Sequence, residues 1–114
     1  MLNPIAGEIY MLSSPRLRQS TYPHPALIIR RTGALVTINF MSSRFELKVN
    51  DDMPIYLEAA NSKEFAATGL AKSSYLIREE VYSDVPINSL EGELMGKITG
   101  KLKEKIEDWW GEPI

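Results

Sequence analysis

The predicted fold is built around the segment Tyr22-Pro23-His24-Pro25-Ala26-Leu27-Ile28-Ile29-Arg30-Arg31. Two prolines flank the only histidine of the chain, and Pro25 disfavours helical backbone at His24. Residues 26–29 form an apolar run that is too short for a helix and rich in β-branched side chains, which predicts a buried strand. A polar, basic segment at residues 13–21 comes just before it. The sequence therefore predicts a strand with a titratable side chain at its entrance and a cationic loop beside it.

The size and composition of the chain indicate one domain, spanning residues 1–114. The chain contains no cysteine, which excludes disulfides and thiolate metal sites, and it has one histidine and no clustered acidic motif. We therefore expect neither a metal site nor a cofactor. No apolar run is long enough to cross a bilayer, and the N-terminus lacks the charged-then-apolar pattern of a signal peptide. These features predict a cytoplasmic protein that does not enter a membrane.

The charges are divided unevenly along the chain. The net charge is −2, which by itself argues against a general nucleic-acid binder. Residues 1–50 nevertheless carry a net charge of +4, and residues 51–114 carry −6. Such a division is compatible with a cationic working face and an acidic remainder, and also with chance placement of charges on a solvated surface.

Alternating apolar residues predict several short strands. Residues 6–12 are apolar on both faces, which is typical of a central or barrel strand. Gly33 can adopt the positive φ of a tight hairpin turn, so a returning strand is expected at residues 35–41. On that strand, Val36, Ile38 and Phe40 should face the core, and Thr37 and Asn39 should face outward. Further strands are expected at residues 44–49, 55–57, 75–77 and 85–87, the last at a sheet edge because Pro86 cannot donate a ladder hydrogen bond.

A helical period replaces the strand alternation at the C-terminus. One helical face carries the apolar residues Leu102, Ile106, Trp109 and Trp110. Thr99 suits the N-cap, and Gly111 is a stop signal. Lysines near the start and acidic residues near the end oppose the helix dipole by about 0.3–1 kcal/mol each, so packing should hold this helix. Together the elements predict a mainly β fold, a small curled antiparallel sheet or partial barrel with a C-terminal helix.

Five short segments, in this order along the chain, resemble the MazF/PemK family of toxins. They are Gly7-Glu8-Ile9-Tyr10, His24-Pro25-Ala26-Leu27-Ile28-Ile29, Met41-Ser42-Ser43-Arg44, Gly69-Leu70-Ala71-Lys72-Ser73-Ser74-Tyr75 and Gly96-Lys97-Ile98-Thr99. The resemblance implies an SH3-like barrel with a closing helix, usually a homodimer. It also implies a metal-independent endoribonuclease that cleaves single-stranded RNA and is blocked by a partner antitoxin protein.

The resemblance implies two catalytic positions. In active members of the family, an arginine before the proline and a threonine in the third segment act on the scissile phosphate. In this chain those positions hold His24 and Ser42. The substitutions leave an alternative open, namely a catalytically inactive MazF/PemK-like barrel that binds a partner peptide or a nucleic acid. A third option is an SH3-like module of a larger assembly.

The residue types at these positions suit metal-free phosphate chemistry. Histidine can act as acid or base near neutral pH, and a serine hydroxyl can bond a phosphate oxygen. Histidine cannot copy the bidentate, permanently charged grip of an arginine, so other groups must supply that charge. We expect the RNA-binding residues to be Arg16, Arg18, Arg30, Ser43 and Arg44. The alternative for His24 is a strand-edge histidine bonded to a backbone carbonyl, and for Ser42 a simple strand-end residue.

Overall fold

The computed structural model describes residues 2–14, 22–44, 50–55 and 62–114. Within these residues the chain forms six strands and two helices. The strands are β1 (Glu8–Ser13), β2 (His24–Thr32), β3 (Leu35–Ser42), β4 (Met53–Ile55), β5 (Ser74–Pro86) and β6 (Glu91–Lys97). The helices are α1 (Ser62–Thr68) and α2 (Gly100–Trp110), and a short 3-10 turn occupies Ile87–Ser89. The predicted strand at residues 44–49 lies mostly outside the described part of the chain, as does the end of the one at 55–57.

The six strands form one antiparallel sheet in the order β4-β5-β3-β2-β1-β6. In the described part of the chain, β4 and β6 are the two edges and do not pair with each other, so the sheet is not closed into a barrel. The predicted mainly β class and the C-terminal helix are confirmed. The predicted closure is not observed.

The predicted hairpin at Gly33 is confirmed. Strands β2 and β3 are joined by a two-residue turn, and Thr32 pairs with Leu35 across it. Gly33 has a φ of +60°, a conformation that side chains with a Cβ rarely adopt. The Arg31 Nε–H donates to the Gly33 carbonyl at 2.8 Å, which ties the turn to the end of β2. This hairpin places the start of β2 and the end of β3 at the same end of the sheet.

Apolar side chains cover both faces of the sheet. One face packs beneath α1 and α2 and contributes to the cluster Ile9, Leu27, Ile29, Met41, Ile55, Phe65, Leu70, Leu76, Ile98, Leu102 and Ile106. The opposite face forms the cluster Tyr10, Leu12, Ala26, Ile28, Val36, Ile38, Phe40, Val85, Ile87 and Leu90. The prediction that Thr37 and Asn39 face solvent is therefore wrong, since they are only 5% and 0% exposed. Their face is covered because α2 packs on it.

Strand β5 and strand β6 differ most from the sequence-based expectation. Residues 75–77 and 85–87 were expected as two separate strands, but β5 runs continuously from Ser74 to Pro86. Its pairing with β3 contains a large bulge, because Met41 pairs with Leu76 while Asn39 pairs with Val81. The last strand is β6, which the sequence did not predict.

Helix α2 has the predicted limits, and Thr99 is its N-cap as predicted. It ends at Gly111, which has a φ of +84°, and Leu102 and Ile106 are buried as expected. The Thr99 side chain makes no capping hydrogen bond. Instead, Glu64 of α1 accepts a hydrogen bond from the Leu102 N–H at 2.6 Å. This carboxylate lies at the positive end of the helix dipole, where it offsets the lysines that crowd the same turn.

Candidate functional site

His24 and Ser42 lie at the same end of the sheet. His24 is the first residue of β2 and Ser42 is the last residue of β3. Ala26 pairs with Phe40, and His24 and Ser42 each lie two residues beyond that pair. Because side chains alternate along strands, His24 and Ser42 project from the face that carries Ala26 and Phe40. The imidazole meets the Phe40 ring edge-on, with ring centroids 6.4 Å apart, and it remains half-buried.

A pocket with a volume of about 270 Å³ opens at this end of the sheet. We call it the strand-end pocket. Its lining residues are Met11, His24, Pro25, Met41, Ser42, Ser43, Arg44, Leu70, Ala71, Lys72, Ser74 and Met95. Four of the seven predicted site residues therefore line one pocket, namely His24, Ser42, Ser43 and Arg44.

The strand-end pocket has an apolar floor and a cationic rim. Met41 belongs to the apolar cluster beneath the helices, and Met95 packs against that cluster. Met11 pairs with Pro25 on the neighbouring strand. Arg44 and Lys72 are exposed at the rim. By strand alternation, Met11, Pro25 and Met41 face the opposite side of the sheet from His24 and Ser42. The pocket therefore extends around the ends of the strands. Its apolar floor lies on one face of the sheet, and the His24 imidazole and the Ser42 hydroxyl lie at the strand ends on the other face.

Short-range hydrogen bonds fix two segments of the rim. The Ser42 hydroxyl oxygen accepts from the Arg44 N–H at 3.0 Å, which leaves the hydroxyl proton available for a ligand. The Ser74 hydroxyl donates to the Lys72 carbonyl at 3.0 Å. These two bonds tie the main chain at Arg44 and Lys72 to the ends of β3 and β5.

Gly69 allows the segment that carries Lys72 to approach β6. Its φ is +75°, and a Cβ at this position would lie 2.2 Å from the Met95 carbonyl oxygen. Any side chain would therefore force the segment away from the strand. The close approach brings Leu70, Ala71 and Lys72 over the pocket beside Met95.

Of the remaining predicted RNA-binding arginines, Arg30 does not line this pocket. Arg30 is exposed and lies six residues from His24 along β2, and its guanidinium forms an ion pair with Glu112 near the C-terminus. Arg16 and Arg18 lie outside the described residues. Lys72, in contrast, lines the pocket although it was not predicted as a site residue. In the sequence, Lys72 belongs to the segment at residues 69–75 that resembles the MazF/PemK family.

A second polar cluster lies where α2 meets the sheet. It contains Asn39, Asp51, Arg78, Trp109 and Trp110, and we call it the tryptophan cluster. The Asn39 amide donates to the Ile77 carbonyl at 2.8 Å, inside the bulge of β5. The Asn39 Oδ1 accepts from the Trp110 indole N–H at 3.3 Å. This buried amide therefore fastens the bulge and the helix to β3.

The rest of the tryptophan cluster joins Trp109 to the chain around β4. Its indole N–H donates to the Asp51 carbonyl at 2.6 Å. The Arg78 guanidinium lies 4.0 Å from the centre of the Trp109 ring and donates to the Trp109 carbonyl at 2.9 Å. Aromatic, cationic and amide groups here bond to one another and to backbone. These contacts pack both tryptophans of α2 against the sheet and the chain around β4.

Among the described residues, no group of three or more histidine, aspartate or glutamate side chains could hold a metal ion. Neither α1 nor α2, nor any other helix of the described chain, has the length and apolar character that a bilayer crossing requires.

No protein-family model matches the chain, and no curated protein matches it either. What the chain does must therefore be inferred from the residues of the strand-end pocket.

Proposed function

We propose that the chain is a MazF/PemK-like toxin-type endoribonuclease that cleaves single-stranded RNA without a metal ion. One observation carries the proposal. His24 and Ser42, which come from adjacent strands, line the same pocket as the cations Arg44 and Lys72. Acid–base, hydrogen-bonding and charge-neutralising groups thus surround a space that is open to solvent. Those are the groups that cleavage of a phosphodiester needs when no metal supplies the charge.

In the proposed reaction, the 2′-oxygen of a ribose attacks the neighbouring phosphorus. His24 takes the proton of that 2′-hydroxyl and later returns a proton to the departing 5′-oxygen. A phosphorus–O2′ bond forms and the phosphorus–O5′ bond breaks, which leaves a cyclic phosphate on one fragment and a 5′-hydroxyl on the other. The Ser42 hydroxyl positions the phosphate by donating to one of its oxygens, and Arg44 and Lys72 neutralise the charge that grows on it.

The proposal includes the partners that the family resemblance implies. These are a second copy of the chain in a homodimer and an antitoxin protein that blocks the pocket. Support for a blocking partner comes from the cationic rim, which favours an acidic chain.

A second candidate function is a MazF/PemK-like protein that binds a partner peptide and cuts nothing. The observation that favours it is the floor of the pocket, where Met11, Met41 and Met95 come together. Methionine is flexible and polarisable, and it is common on surfaces that adapt to different peptide side chains.

The decisive experiment incubates the purified chain with single-stranded RNA in the presence of EDTA. We expect cleavage that yields cyclic or 3′-phosphate ends, and we expect His24→Ala to abolish it. Asn88→Ala is the matched control, because Asn88 is exposed and does not line the pocket. Unchanged cleavage by His24→Ala would discard the assigned mechanism. Absence of cleavage together with a co-purifying peptide would favour the second function.

A further inference from the structure

We propose that the apolar floor of the strand-end pocket binds one unstacked nucleobase of the RNA, directly beside the phosphate held by His24 and Ser42. This inference rests on the proposed function, since it names the part of the substrate that the same pocket takes. It adds a base-binding subsite made of Met11, Met41, Met95 and the segment at Leu70. None of these residues takes part in the proposed cleavage steps.

The chemistry of the floor suits a flat aromatic ring. Met11, Met41 and Met95 come from three different strands, β1, β3 and β6, and converge on one pocket. Thioether sulfur makes favourable contacts with aromatic rings, and a methionine side chain can adjust to a ring that enters beside it. Every nucleobase offers such a ring once it is unstacked from its neighbours. The floor can therefore hold a base without an aromatic side chain of its own.

The size of the pocket suits a single base. Its volume of about 270 Å³ falls just below the roughly 300–1,000 Å³ that is usual for drug-sized ligands. A space of this size can hold one base with its sugar left at the mouth.

The charge of the rim favours a nucleotide over a neutral apolar ligand. Arg44 and Lys72 are exposed beside the floor, so the occupant should carry an apolar plane and a negative charge close together. A nucleotide has this combination, because its base and its phosphate lie on opposite sides of one sugar. The same electrostatic attraction would act on an acidic peptide, which the experiment below separates from a nucleotide.

The geometry also sets the direction in which the nucleotide lies. Met11 and Met41 face one side of the sheet, and His24 and Ser42 project from the other side at the strand ends. A base on the methionine floor therefore leaves its phosphate at the rim, where the strands end. This is where the proposed cleavage requires the phosphate to be.

The test uses the full chain with methionine methyl groups labelled with carbon-13. The probes are a 2′-deoxynucleoside 3′-monophosphate, which cannot be cleaved, and deoxyribose phosphate, which lacks the base. We expect the nucleotide to bind at least tenfold more tightly and to shift the methyl signals of Met11, Met41 and Met95. Met53 is the internal control, because it packs against the same apolar cluster without lining the pocket. Equal affinity for the two probes would overturn the inference.

A pair of variants checks the location of the subsite. Ala71→Leu narrows the pocket, whereas Ala66→Leu adds the same side chain to an exposed position on α1 outside it. We expect the first to weaken nucleotide binding at least fivefold and to leave the affinity for inorganic phosphate within twofold, and the second to change neither. Unchanged nucleotide binding in Ala71→Leu contradicts the inference, as does an acidic peptide that shifts the three methyl signals where the nucleotide does not.

These outcomes can be distinguished from those for cleavage. If the chain binds the nucleotide in a base-dependent way but cuts no RNA, the base-binding subsite stands and the nuclease proposal is excluded. If the chain cuts an intact RNA and an RNA that lacks the base at the cleaved position equally well, the nuclease proposal stands and the base-binding subsite is excluded.

Discussion

The tryptophan cluster and the strand-end pocket contain similar side chains but use them in opposite ways. In the tryptophan cluster, Trp109, Trp110 and Arg78 donate hydrogen bonds to acceptors within the protein, and Asn39 is completely buried among them. In the strand-end pocket, an imidazole, hydroxyls and two cations surround about 270 Å³ of open space. The polar groups of the first region join elements of the fold, whereas those of the second line a pocket that is open to solvent.

We therefore expect stability and function to depend on different residues of this 114-residue chain. Substitutions in the tryptophan cluster should lower the free energy of unfolding and leave the chemistry of the folded molecules intact. Substitutions at the rim of the strand-end pocket should do the reverse, because those side chains support little of the internal packing. A residue that changes both properties equally would show that the two regions are not independent.

The largest expected effect is that of His24→Ala on RNA cleavage. Removal of a proton-transfer group typically lowers the rate by about 10²–10⁴-fold. The same substitution should cost about 1 kcal/mol of stability or less, since the half-buried imidazole contributes mainly an edge-on contact with Phe40. Single-turnover cleavage and urea unfolding on the same preparation measure the two quantities. A loss of activity matched by general unfolding would remove His24 from the mechanism.

Asn39→Ala should be the most damaging substitution in the tryptophan cluster. It leaves the Ile77 carbonyl and the Trp110 indole N–H without the side-chain partner that bonds them. Orphaned buried polar groups cost about 1–3 kcal/mol each, so we expect a loss of about 2–4 kcal/mol in the free energy of unfolding. Thr37→Ala is the control, since Thr37 is buried on the same face of the same strand. If both variants lose the same stability, the hydrogen bonds of Asn39 are not what fastens α2.

The comparison between regions was partly visible in the sequence. Local signals were sufficient for the hairpin at Gly33 and for the C-terminal helix, because a turn glycine and a helical apolar period act over few residues. They were also sufficient to place His24 at the entrance of β2, since Pro25 acts on its immediate neighbour. The pairing of that hairpin then brought Ser42 to the same end of the sheet.

Features that depend on distant partners were not predictable in this way. Strand β6 has two glycines and two glutamates, which are poor strand formers, and it is a strand because β1 pairs with it. Asn39 looked like an outward-facing polar residue, and only the packing of α2 makes its face interior. Lys72 lines the pocket because Gly69 lies close to β6, and a contact between such distant segments leaves no local sequence pattern.

Tyr10 offers a smaller test of an internally bonded polar group outside the tryptophan cluster. Burial raises the pKa of Tyr10 from 10.0 to about 12, with further contributions from the hydrogen bond to Glu8 and from the Glu8 charge. Folding thus favours the neutral phenol. The resulting stability is complete below pH 10 and is lost as the pH rises from 10 to 12.

We expect this loss to reach about 2 kcal/mol near pH 11.5, since each unit of pKa shift corresponds to about 1.4 kcal/mol. Urea unfolding of the wild type and of Tyr10→Phe at pH 8 and pH 11.5 measures it, because the phenylalanine variant lacks the titrating group. An identical loss in the two proteins would show that Tyr10 does not contribute to the alkaline destabilisation.

The smallest effect, and the sharpest separation of the two regions, is expected from a pair of arginines. Arg30 forms an exposed ion pair with Glu112 away from the pocket, and Arg44 lies on the pocket rim. Arg30→Ala should change stability by about 0–1 kcal/mol, as exposed ion pairs usually do, and should leave RNA affinity unchanged. Arg44→Ala should weaken RNA binding and lower the slope of log affinity against log salt by about 0.7, the value for one lost phosphate contact with a single strand. The contrast depends on position alone, since both residues are exposed arginines. Equal salt slopes for the two variants would mean that RNA follows the β2 surface as well as the pocket, and the cationic face would then extend along the whole strand.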